Sequence, residues 1–303
     1  MKKVIFIFVI FICILSNSCC GCIDDQNNTN NQQIAGPLMS WTKESGVRID
    51  DGVSSATLLI DDMYVMYYTG EGIQIAKSSD GLMFEKVGIA IHNGEPGSME
   101  EMVSNSAIIE LNNGSYRMIY EGRDGNYDRR LFSAFSDDGY TWSKEEGIRF
   151  QDYGDGKPDE LFTSVPETIR LDNGDLRMYY TRGVSSAIAI SHDEGITWEK
   201  EGNLDLDRIV IDPDILRLDD GSYKLFFTTF DDEFGVGAQY VMSASSTDGI
   251  TFTIDSGKRL ESVFVNNLLL DPDIIRLPDG SYRMYFSEMQ DDGSIRILSA
   301  LNS

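Results

Sequence analysis

Apolar residues in this chain come in short bursts of four to eight, with no helical spacing anywhere and no alternation of strand-like and helix-like segments. A representative stretch is "DILRL" at 214–218. "DDG" follows it, then "SYKLFFTT" at 222–229 and, after a longer loop, "YVMSASS" at 240–246. Each burst is short and rich in β-branched or aromatic residues, which suits strands. The Asp-Gly between the first two supplies a hairpin turn, where Gly accepts a positive φ. The same order recurs along the chain. "DPDILRLDDGSYKLFFTT" at 212–229 is rewritten as "DPDIIRLPDGSYRMYFSE" at 271–288. Weaker copies are "VPETIRLDNGDLRMYYTR" at 165–182, "NSAIIELNNGSYRMIYEG" at 105–122 and "SSATLLIDDMYVMYYTG" at 54–70. Aligned on Met66, Met118, Met178, Leu225 and Met284, the five units are 47–60 residues apart. That period fits a four-stranded propeller blade.

A second signal follows each third strand: "SSDGLMF" (78–84), "SDDGYTW" (136–142), "SHDEGITW" (191–198) and "STDGITF" (246–252). In such a turn Asp binds backbone amides, Gly takes the positive-φ position and the aromatic residue packs between sheets. The fifth unit ends at Ser303 where its copy should begin. The missing piece lies at the other terminus, because "SWTKESGVRI" at 40–49 matches "TWSKEEGIRF" at 141–150. The expected architecture is therefore all-β: a five-bladed β-propeller of four-stranded antiparallel blades over 38–303, its last blade closed by an N-terminal strand that removes a sheet edge. Trp41, Trp142 and Trp198 then occupy one equivalent position, which suits core packing better than a sugar-stacking platform.

Ahead of this body, two lysines precede an apolar run from Val4 to Leu15, too short to span a bilayer and laid out as a signal peptide over 1–22. Cys22 after Gly21 is the expected lipidated residue, with Cys19 and Cys20 as alternatives. All four cysteines lie in this leader, so no disulfide framework is expected beyond it. Residues 23–37 form a polar tether. The expectation is an exported protein, lipid-anchored at the cell surface or secreted, that meets membrane only through its N-terminus. There are 50 acidic and 25 basic residues, a formal net charge of −25, which repels nucleic acid. A closed ring should be monomeric.

Strand order sorts the chemistry by face. The Asp-Gly hairpins and the Ser-x-Asp turns fall on one face. The starts of the first strands fall on the other, with the long segments "EGRDGNYDRR", "QDYGDGKPDELFTS", "FDDEFGVGAQ" and "EMQDDGS". Ligands are expected at that second mouth, near the axis. The position before the first apolar pair of each unit is Ala56, Ala107, Glu167, Asp214 and Asp273; two residues earlier stand Ser54, Asn105, Val165, Asp212 and Asp271. Blades III to V thus send five carboxylates toward one mouth. Crowded carboxylates push one another's pKa values up, which suits a general acid beside a general base, and glycoside hydrolysis uses such a pair. Glu167, Asp214 and Asp273 are the inward-facing catalytic candidates. Asp212 and Asp271 stand before prolines, where an Asp also serves as a strand-start residue. With Asn105, Glu121, Arg123 and Arg182 they are candidates for substrate binding.

Five blades, terminal closure and axial carboxylates resemble the five-bladed propeller glycosidases of the arabinanase, xylosidase and fructosidase type. The Ser-x-Asp turns resemble the Asp-boxes of sialidases, also called BNR repeats. The first resemblance covers roughly 38–303 and implies a glycoside hydrolase acting on oligo- or polysaccharide. It also implies a catalytic Asp at the start of blade I, making Asp51 of "RIDDGVSS" the base and Glu167 or Asp214 the acid and its modulator. Blade I carries Ser-Ser-Ala at its strand start. A non-catalytic binding propeller using the same mouth is the alternative. A sialidase would bring Arg123, Arg129, Arg130 and Arg182 together beside Tyr127, but no Arg-Ile-Pro signature is present. No cofactor is expected. Only His92 and His192 exist, so no zinc or iron cluster is expected either, whereas acidic loops such as "DDEFG" and "QDYGDGKPDE" carry the oxygen donors calcium takes.

Overall fold

The computed structural model describes residues 40–152, 162–183, 185–230, 238–262 and 268–302. The expected leader, tether and Cys22 lie outside the described residues, as do most of the two loops considered for calcium. The described chain contains no helix and forms five antiparallel sheets. Their inner strands are Val53–Ile60 (blade I), Met102–Glu110 (II), Ser164–Arg170 (III), Ile211–Arg217 (IV) and Leu269–Arg276 (V). Each inner strand packs against the next, and that of blade V returns to that of blade I, so the ring is closed. Trp41–Lys43 is the outer strand of blade V, pairing Trp41 with Asn302, Thr42 with Leu301 and Lys43 with Ala300.

Five hydrophobic clusters hold the ring, one between each pair of neighbouring blades. The aligned residues Met66, Met118, Met178, Leu225 and Met284 are all fully buried. Around them sit Tyr67, Tyr120, Tyr179, Phe226, Tyr285 and Phe286, also fully buried. Burial of such a side chain contributes about 1.5–3 kcal/mol. Apolar runs that look unremarkable within one unit therefore become stabilising only once a neighbouring blade covers them.

The Ser-x-Asp turns are inter-blade latches. In each, the Asp side chain accepts the amides that follow it: Asp80 from Leu82 (2.8 Å) and Met83 (2.9 Å), and Asp248 from Ile250 and Thr251 (both 2.8 Å). The following Gly then offers its carbonyl to the preceding blade. Tyr285 Oη donates to Gly81 O (2.9 Å), Tyr179 Oη to Gly249 O (2.7 Å), and Tyr67 Oη to Gly139 O. A cation on the second strand adds a further tie. Arg177 donates twice to Glu201 of its own blade (2.7 and 2.9 Å) and once to Asp248 O of the next (2.9 Å). Arg283 does the same with Glu44 and with Asp80 O (3.0 Å), so the closing N-terminal segment is held by a part-buried ion pair as well as by strand pairing. Trp142 and Trp198 pack in the core as expected, each Nε1 donating to the Gly carbonyl of its own turn (3.2 and 3.1 Å). Trp41 meets Phe226 edge to face, with ring centroids 5.8 Å apart.

Losing Arg177 leaves Glu201 without its cation in a part-buried pair. Arg177→Met is expected to lower the urea-unfolding free energy by about 1.5–3 kcal/mol, and Tyr179→Phe by about 1 kcal/mol. Near-zero changes in both would show that these turns do not tie the blades together.

Candidate active site

Every inner strand carries the same defect near its start. The register slips between Val53 and Ser55, Ser104 and Ser106, Ser164 and Glu167, Ile211 and Asp214, and Leu270 and Asp273. At each slip one residue adopts a left-handed conformation: Ser54 (φ 51°), Asn105 (44°), Val165 (44°), Asp212 (50°) and Asp271 (51°). None is glycine, so each carries a steric cost, greatest for the β-branched Val165. The neighbouring blade supplies compensation. The backbone amides of Ser54, Asn105 and Asp212 donate to the hydroxyls of Ser287, Thr69 and Thr181 on the second strand of the preceding blade, each at 2.9 Å. The bulge places residues 54, 105, 165, 212 and 271 in one ring at the mouth and residues 56, 107, 167, 214 and 273 in a second ring beneath it.

In the upper ring, blades IV and V contribute Asp212 and Asp271. The Asp271 backbone amide favours the charged form of the Asp212 carboxylate, and the Ser54 amide does the same for Asp271. Blade II adds Glu121, which stands where blades I, III and V have Thr69, Thr181 and Ser287. Glu121 is buried and accepts hydrogen bonds from Asn105 Nδ2 (3.0 Å) and from Ser164 Oγ. Arg129 faces these acids. Its Nε is 3.7 Å from Glu121 Oε1, its guanidinium lies 4.1 Å from the Phe162 ring centroid, and its charge is felt at Asp212. Burial pushes Asp212 up to about 6, against the pull of its hydrogen bonds and of Arg129. Burial, reinforced by the charges of Asp212 and Glu121, pushes Asp271 well above the usual carboxylate range. The two acids of the mouth are thus unequal, one beside a cation and the other beside anions.

The lower ring holds Glu167, Asp214 and Asp273. Asp273 is pinned by blade I, accepting the Thr57 amide (3.3 Å) and hydroxyl (2.7 Å); Asp214 accepts the Ile274 amide (3.0 Å). Both are buried, and Asp214 Oδ1 has no hydrogen-bond partner among the described residues. Glu167 remains half-buried. Burial raises all three, Glu167 to about 8 and Asp273 to about 6. The Asp273 charge adds to the rise of Glu167, and the charges of both neighbours add to that of Asp214.

The structure brings together Asn105, Glu121, Glu167, Asp212, Asp214, Asp271 and Asp273. It separates Asp51 from them: that carboxylate is exposed and ion-paired with Lys86 on the outer strand of blade I. The Ser-Ser-Ala start of blade I leaves no acid to replace it. Arg182 is drawn outward to Asp152 (3.1 Å), Arg130 to Asp124 and Asp128 (both 3.1 Å), and Arg123 donates to Met102 Sδ (2.6 Å). Arg130 and Arg182 are thus paired with carboxylates, whereas Arg123 lies over the Tyr127 ring and is the cross-strand partner of Arg129. Glu121 and Arg129 matter more than the sequence indicated. The signal for Glu121 was a carboxylate standing in a column of Thr and Ser. Among the described residues, no three His, Cys, Asp or Glu side chains are grouped to hold a metal ion.

A carboxyl whose folded pKa is raised stabilises the fold below the ordinary carboxylate range, and that contribution disappears as pH rises through the folded value. The melting temperature is therefore expected to fall between about pH 4 and 8, and the fall should be shallower in Glu167→Gln. Identical slopes for the two proteins would mean that Glu167 titrates normally.

No family model matches the chain, and no curated protein matches it. Solved structures do match in fold. A thermostable family-43 glycoside hydrolase superposes with a TM-score of 0.66 at 15% identity, covering 89% of this chain and 91% of its own. An endo-arabinase from Bacteroides thetaiotaomicron gives 0.65 at 12%, covering 85% and 97%. The α-L-arabinanase of Cellvibrio cellulosa, solved with arabinohexaose, gives 0.63 at 16%, covering 84% and 92%.

Proposed function

We propose that this protein is a glycoside hydrolase that cleaves oligo- or polysaccharide at the upper axial ring, with Asp271 as general acid and Asp212 as general base or nucleophile. The observation that carries the proposal is the unequal pair: two carboxyls at one mouth, both raised by burial, with the charge of Arg129 acting against the rise at Asp212 and the charges of Asp212 and Glu121 adding to it at Asp271. Sites that hold one carboxyl protonated beside an ionised one have the parts that glycosidic cleavage needs. Asp271, half-buried and with its carboxyl raised by burial and by the charges of Asp212 and Glu121, gives its proton to the glycosidic oxygen as the bond to the anomeric carbon breaks. Asp212 either takes a proton from the water that attacks that carbon or attacks it directly. Asp214 and Asp273, held by backbone amides of the next blade, serve as the support beneath this pair, and Glu167 remains open to the axis. The fold neighbours support the reaction class, since their names are those of carbohydrate hydrolases. The Ser-x-Asp turns read as structural Asp-boxes. The leader pattern supports an exported protein, with Cys22 the residue to carry lipid. A non-catalytic carbohydrate-binding propeller is the second reading, favoured by the amide bonds on Asp214 and Asp273 and by the missing acid of blade I.

The test is hydrolysis of aryl arabinofuranosides, xylosides, fructosides and sialosides by the full chain and two variants. Asp212→Asn should lose about 10²- to 10⁴-fold in rate on the active substrate. Asp271→Asn should lose as much on a poor phenol leaving group and far less on an activated dinitrophenol, which needs no proton. Wild-type rates in both variants would remove the pair from the chemistry. A folded but inert wild type would favour the binding reading.

A further inference from the structure

The hairpin joining the second and third strands of blade II, residues 124–128, stands on the mouth face and presents one aromatic ring. Tyr127 is 67% exposed, the second most exposed of the large hydrophobic residues, and its backbone is left-handed at φ 69°. A bulky residue in that conformation is uncommon and strained. The loop around it is tightly built. Tyr127 N donates to Asp124 O (3.0 Å), Asp124 Oδ1 accepts the amides of Asn126 (2.9 Å) and Asp128 (3.2 Å), and Arg130 clamps both Asp124 and Asp128 (3.1 Å each). The ring is backed on one side by the Arg123 guanidinium, 4.9 Å from its centroid. Arg123 is in turn the direct cross-strand partner of Arg129, the cation of the axial ring. Tyr127 thus stands on the same hairpin as Arg129, with Arg123 between its ring and that cation's strand position.

We infer that Tyr127 is an outer sugar-binding platform, on which a ring of the substrate chain beyond the cleaved bond stacks its apolar face. This deepens the proposed function and rests on it. An exposed aromatic ring with a cation behind it, on the mouth face of an acidic protein, suits an uncharged sugar that offers C–H bonds on one face and hydroxyls at its edge. The platform lies off the axis, so it engages chains and not monosaccharides.

The test compares oligosaccharides of two to six units, from arabinan and from xylan, with the matching aryl monosaccharide. The full chain and its Tyr127→Ala, Tyr127→Phe and Asp212→Asn variants are measured. Tyr127→Ala should weaken the affinity or raise the KM for the longer oligosaccharides by about tenfold, with under about twofold change on the aryl glycoside. Tyr127→Phe, which keeps the ring, should restore the wild-type length dependence. An unchanged length dependence in Tyr127→Ala, or an equal loss on the aryl glycoside, overturns the platform. The aryl glycoside with Asp212→Asn reports on the axial pair alone, so failure of the catalytic reading shows there whatever Tyr127 does.

Discussion

The bulge that opens each inner strand, with one non-glycine residue forced into a left-handed conformation, is the constraint on which the rest of the mouth depends. An ordinary strand alternates its side chains between two faces. The extra residue interrupts that alternation: Asp212, left-handed, sits in the bulge without a cross-strand partner, and regular pairing resumes at Asp214 opposite Phe226. The bulge survives because the strained residue's amide is captured by a hydroxyl of the preceding blade, as Ser54 is by Ser287 across the closure of the ring. A single blade could not hold this geometry. The site is a property of five blades pressed together, and the buried tyrosines, the Ser-x-Asp latches and the N-terminal strand keep them pressed.

The electrostatics follow from that crowding. Six carboxylates from blades II to V converge where water is scarce, and they cannot all ionise together. The distribution of partners decides which keep their protons. Asp212 has Arg129 in view, Asp271 has two anions, and Asp273 has the Thr57 amide and hydroxyl. The acid and base roles proposed for this mouth are set by those neighbours and not by the carboxyls themselves. Blade I, with Ser54 and Ala56 at the two ring positions, leaves one side of the mouth uncharged.

Much of the fold was legible because repetition converts weak local signals into strong ones. The pairing of 40–49 with the unfinished fifth unit could be read from its match to 141–150, and within that match Trp41 and Glu44 play the roles that Trp142 and Glu145 play in blade II. The convergence of Glu167, Asp214 and Asp273 was legible from the same alignment. What was not legible is the ranking of the two rings. The strain at Asp212 is offset by the Thr181 hydroxyl of another blade, and the pinning of Asp273 depends on Thr57, 216 residues away in sequence. Asp51 sits close to the start of blade I in sequence, but the chain turns it outward to Lys86 before the bulge begins. Arg129 looked like one of several loop cations until its ion pair with Glu121 placed it at the mouth, where its charge is felt at Asp212.

The most direct test of the account is a crystal structure of the Asp271→Asn variant soaked with an oligosaccharide that the wild type cleaves. The account predicts a sugar in the axial mouth, its glycosidic oxygen within hydrogen-bonding distance of residue 271 and its anomeric carbon facing Asp212. A sugar bound instead on the hairpin face, or in the mouth with its glycosidic oxygen turned away from both residues, would contradict it.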